Sequence, residues 1–133
     1  AGGVQLSGIL IADELNIDAG GVNIEGEYYC RDLSIDGAGM NINAYIEADY
    51  FSVNGAGIDM DIDVAGIEDL RIKGVGIDVD VKYLDSWTGI RHITLKGVGG
   101  DLNVEVPSGN KNKERSQLDV DTDGIIDTDI DYY

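Results

Sequence analysis

One cysteine, one proline, one histidine and one tryptophan are all that the 133 residues hold of four residue types that usually brace a fold or carry chemistry. With Cys30 alone, no intramolecular disulfide can form, and the thiol is expected to act as a small buried hydrophobe. With His92 alone, a zinc site lacks its second nitrogen or thiolate ligand. Nucleophilic catalysis by a cysteine and histidine pair would need two remote parts of the chain to meet. Bases are scarce as well: 9 Lys and Arg stand against 26 Asp and Glu, a net charge of −17. Such a surface repels nucleic acid and anionic lipid, both of which need clustered cations. No apolar run approaches the roughly 18 residues of a membrane span, and no basic-then-apolar leader is present. The chain begins with Ala1, so a processed piece of a longer protein is expected, with any anchor outside it.

Helix is not expected anywhere, because no window shows a 3.6-residue period and 19 glycines are spread along the chain. The length suits a single domain, residues 1–133, and the 43% of hydrophobic residues suffices for a packed interior.

What the chain does have is a repeat. Aligned on Gly3, Gly21, Gly39, Gly57, Gly76, Gly99 and Gly124, it advances in steps of about 18, 18, 18, 19, 23 and 25 residues. Six positions before the glycine stand Leu15, Leu33, Phe51, Leu70, Ile93 and Leu118, and four before it Ile17, Ile35, Val53, Ile72, Leu95 and Val120. Polar residues separate the two columns, which is the period-two alternation of a strand with one buried face. The alternation resumes after the glycine through Ile24, Ile42, Met60, Val79 and Leu102. Doublets at Gly37, Gly55, Gly74 and Gly97 produce GAG and GVG runs, suited to a corner with positive φ and close backbone passage. A phosphate-cradling loop is excluded because no helix follows these glycines. Agreement of residue type down each column predicts a β-solenoid of about seven short-strand rungs, each roughly 18 to 25 residues. The alternative is an antiparallel meander or sandwich in which each GxG is a hairpin turn.

The LxIxGxGxxIxI units, ending in LKGVGGDLNVEVP at Leu95 to Pro107, resemble the toastrack domains, β-strand-repeat domains of bacterial and archaeal envelope proteins. They are similar also to the related head domains of autotransporter adhesins. The likeness spans nearly the whole chain and rests on repeat texture. It implies a place on the extracellular or periplasmic side of the cell envelope and attachment to transmembrane segments elsewhere in the full protein. It further implies a part in envelope stress signalling or surface adhesion, and no catalytic residues.

Four features stand out as candidate sites. Stacking in register would place Asp59 over Asp78 and Asp61 over Asp80, four carboxylates that a hard cation such as calcium could bridge as a weak site. The plainer expectation is a solvated outer face that discourages lateral association. The run Asp119, Asp121, Asp123, Gly124, Asp127 imitates a calcium loop, but its twelfth position is Ile130 and not an acid, so a last rung is favoured. The longer unit holding Tyr83, Trp87, Arg91 and His92 combines aromatics with arginine, a composition common where proteins meet a protein or carbohydrate partner. Trp87 could equally fold back over the end of the apolar column. The only basic cluster, Gly109 to Arg115, reads as a solvated segment between rungs. The functional expectation is therefore a non-catalytic, monomeric module for adhesion, sensing or spacing. The alternative is a carbohydrate-active β-helix enzyme working through paired carboxylates.

Overall fold

Strict alternation of β-branched and polar residues, broken only by glycine, leaves the backbone one way to satisfy its hydrogen bonds: laterally, coil upon coil. The computed structural model describes residues 3–84, 89–106 and 116–132, and every regular element among them is a β-strand. In chain order these are β1 (Val4–Leu6), β2 (Ile9–Ile11), β3 (Glu14–Ala19), β4 (Val22–Tyr29), β5 (Asp32–Glu47), β6 (Tyr50–Ala65), β7 (Asp69–Tyr83), β8 (Gly89–Val106) and β9 (Ser116–Tyr132). All pairings are parallel, in the order β1-β4-β5-β6-β7-β8-β9, with β2 also on β4 and β3 on β5. The molecule is thus a β-solenoid, and the antiparallel meander is not formed.

Ile35 lies opposite Val53 and Val53 opposite Ile72, as the eighteen-residue column requires. Each of the three is about 1% exposed. Leu33, Phe51, Leu70 and Ile93 form the neighbouring column, and Ile24, Ile42, Met60, Val79 and Leu102 line the second leg of the coils from β4 to β8. The core is therefore one continuous apolar spine along the stack.

β5 to β9 each run through the glycine corner, and these five strands make about four turns of regular stack. The count falls below the seven rungs expected, because the N-terminal coils are incomplete. There the chain breaks around Gly8 and Gly20–Gly21, dividing the coils into the shorter β1 to β4.

Two glycine columns meet at the corner for different reasons. Gly39, Gly57 and Gly76 have φ of 66°, 63° and 65°, the left-handed region that side chains disfavour. Gly55 and Gly74 instead stack so closely that a Cβ on either would collide with the carbonyl of the glycine in the coil before it. Opposite corners are tied by their own ladder. The amides of Asp49 and Tyr50 donate to the Arg31 carbonyl at 3.1 and 3.0 Å, and those of Glu68 and Asp69 to the Asp49 carbonyl at 2.9 and 3.4 Å.

The uneven steps are absorbed between strands. Gly66, with φ of 72°, is the extra residue of the nineteen-residue step, and Ile67 then takes the buried place that Ala48 holds one coil earlier. Pairing resumes in step after residues 85–88 and 107–115. In the last coil the register differs from the expectation. Gly124 lies opposite Gly97, not Gly99, so Val120 and not Leu118 continues the Ile93 column. In the first leg this shift of two keeps side chains on their face, so polarity alone cannot choose between the registers there; past Gly99 the ladder drops one residue, Val98 lying opposite Ile125 but Gly100 opposite Ile126. The crowded glycine column does choose, because a Cβ at position 124 would strike the Gly97 carbonyl.

Candidate functional site

The second leg of each coil carries the acidic ladder on its outer face. Register brings Asp59 opposite Asp78 and Asp61 opposite Asp80, as the sequence predicts, and all four side chains are exposed. The ladder extends to Asp101 and Asp127 in one column, while amides punctuate it at Asn41, Asn43 and Asn103. The Asn103 Nδ2 donates to Asp80 Oδ1 at 2.9 Å, converting one repulsive neighbour into a hydrogen bond. Asp78 remains flanked by carboxylates on three sides. Lost hydration, then Asp80, Asp59 and Asp101, hold its pKa above the ordinary aspartate value. Among the described residues no group of three or more His, Cys, Asp or Glu side chains is arranged to hold a metal ion.

Tyr83 and Arg91 face inward. Tyr83 ends β7 in the buried column that also holds Ile46 and Val64, and Arg91 is 8% exposed. The Arg91 guanidinium lies 5.8 Å from the centre of the Tyr83 ring, a cation over an aromatic face. Trp87 and residues 109–115 lie outside the described residues. Asp119, Asp121, Asp123 and Asp127 belong to the continuous strand β9, so the run that imitates a calcium loop forms a rung.

Among the described residues, Cys30 and His92 are not brought together. Burial, then Asp32, pushes the Cys30 thiol above its ordinary pKa, the reverse of what an attacking thiolate needs. Asp32, two residues beyond Cys30, is separated from His92 by three ladder steps, through Tyr50 and Asp69.

The first leg of the coil carries a different surface, which the column reading could have found had it been applied to the polar positions before the glycine. Outward residues of β6, β7 and β8 form three rows: Tyr50, Ser52, Asn54, then Asp69, Arg71, Lys73, then His92, Thr94, Lys96. Successive positions in a row are about 6.6 Å apart and rows about 4.8 Å. Two shallow depressions of about 370 and 450 Å³ cover most of this grid and meet at Ser52 and Arg71. Arg71 is held in place by Asp69 Oδ2, with Nη2 at 3.0 Å and Nε donating at 3.0 Å.

The chain matches no known family model, no curated protein and no solved structure. The β-solenoid class is therefore defined by its own register, without help from a relative. Among the described residues no helix is long and apolar enough to cross a membrane.

Proposed function

We propose that this chain is a non-catalytic β-repeat module of the cell envelope, exposed on the extracellular or periplasmic side. Its stacked coils serve as a stiff body for adhesion, sensing or spacing, with the anchor elsewhere in the full protein. The observation that carries this reading is the in-register stack itself. One continuous spine and laddered corners make a shaft whose side faces can vary without disturbing it. Kinship with toastrack domains and adhesin heads is part of the same reading and draws on the repeat texture of the sequence. The raised thiol of Cys30 and its distance from His92 favour display over catalysis. The partner is a protein or a carbohydrate, the module acts as a monomer, and the acidic ladder gives it weak affinity for calcium.

Antibody labelling of intact and permeabilised cells tests the location. Labelling of intact cells, or of cells with only the outer layer opened, is expected. A signal appearing solely after the cytoplasm is opened would overturn the reading.

A further inference from the structure

The grid on β6, β7 and β8 contains two features for which the fold supplies no reason. Lys73 lies directly opposite Lys96 in the parallel ladder, and like charges so placed destabilise a sheet. Among the described residues neither makes an ion pair or hydrogen bond with another side chain, although the chain as a whole is −17 and Asp123 lies opposite Lys96 in the next coil. Tyr50, four positions before Asn54 on the same face, is a large aromatic side chain that is 50% exposed.

We propose that this face binds a carboxylate-bearing oligosaccharide of about two pyranose rings. One ring stacks on Tyr50, since sugar C–H faces pack on aromatic rings as other apolar surfaces do. Asp69, Ser52 and the pre-oriented Arg71 meet its hydroxyls. The carboxylate of the next ring sits between Lys73 and Lys96, where it relieves their repulsion through charge-assisted hydrogen bonds. The midpoint between Lys73 and Lys96 lies four residues along the strand and one and a half coils across from Tyr50, about 15 Å at the backbone, which two linked rings cover together with the reach of the lysine side chains.

The surroundings set the ligand's charge. The lysine column runs Asp36, Asn54, Lys73, Lys96, Asp123, so acids close it at both ends. A long polyanion would lie on those carboxylates, whereas a single acid group meets only the cations. This inference names a ligand for the display module proposed above and rests on that reading.

The test uses the whole chain and three probes: a glucuronate-containing disaccharide, its neutral glucose counterpart, and glucuronate alone. Binding is followed by amide chemical-shift titration. The acidic disaccharide is expected to bind about tenfold more tightly than either other probe, with shifts centred on residues 50–54, 69–73 and 92–96. The double variant Lys73→Gln, Lys96→Gln and the single variant Tyr50→Ala should each lose about tenfold in affinity, while Lys82→Gln on the acidic face changes nothing. All three alter outward side chains, and thermal melts no lower than the parent's will show that the coil is intact, with the double lysine variant melting somewhat higher as its repulsion is removed. Equal binding of acidic and neutral probes, or full affinity in the double lysine variant, would overturn the proposal. Absence of any shift at millimolar ligand would remove the saccharide while leaving the cell-labelling result to judge the display reading by itself.

Discussion

At the scale of single residues, the two glycines of each corner look interchangeable in sequence and are not. Gly57 needs its positive φ but has open space around it, with nothing nearer than 3.8 Å to an added Cβ. Gly55 has no such backbone demand, yet an added Cβ would run into the Gly37 carbonyl and the Met40 methyl. Gly57→Ala should therefore cost about 1–2 kcal/mol, the price of a left-handed side chain. Gly55→Ala should cost more, because the coil before it must move as a unit. Urea unfolding of both variants checks this, and a smaller loss for Gly55→Ala would contradict the crowded-column account. The sequence showed that glycine doublets mark corners. It did not separate the two roles, since close approach depends on what lies one coil away.

Within a strand, the acidic ladder sets how stability responds to pH. A carboxyl whose pKa is raised in the folded state binds its proton more tightly there than in the unfolded chain. Its contribution is thus most favourable at low pH and is lost as pH rises from the ordinary aspartate range through the raised value. Asp78→Asn removes that loss. The variant should be more stable than the parent at neutral pH by up to about 1 kcal/mol, the scale of a like-charge cross-strand pair. The difference should vanish on acidification. Thermal melts of both proteins across pH 3 to 7 read it directly, and an equal difference at all pH values would point to packing instead of charge. The ladder itself was legible, because Asp59, Asp61, Asp78 and Asp80 recur at the step of the apolar columns. The inward placement of Tyr83 and Arg91 was not. Both flank the twenty-three-residue step, where the repeat could not say at which residue the coil ends and resumes.

For the molecule as a whole, the fold class was legible because the glycine positions from Gly3 to Gly99 and two apolar columns agree, a consistency that stacking alone explains. What escaped was the exact placement of β9, since a slip of two preserves inside and outside along its first leg, and the step lost between Val98 and Gly100 leaves no mark in residue type. The mixed face escaped too, as it emerges only when polar residues are followed across three coils with unequal steps. A chain of charge −17 repels itself, so added salt should stabilise it by screening. Calcium chloride at millimolar concentration should raise the melting temperature further than sodium chloride of equal ionic strength, if Asp59, Asp61, Asp78 and Asp80 share the ion as proposed. Equal rises would reduce the ladder to a screened array.

The corner at Gly66 shows where such a chain can grow. One added residue there leaves the pairing of β6 with β7 in step along its whole length. A peptide spliced beside it would ride on the rim like a tab on a stacked coin. The same peptide spliced into the middle of β6 by an odd count would turn the spine outward to water. Lineages or engineers wishing to vary what this shaft presents therefore have a ready port, and the shaft need not be rebuilt to use it.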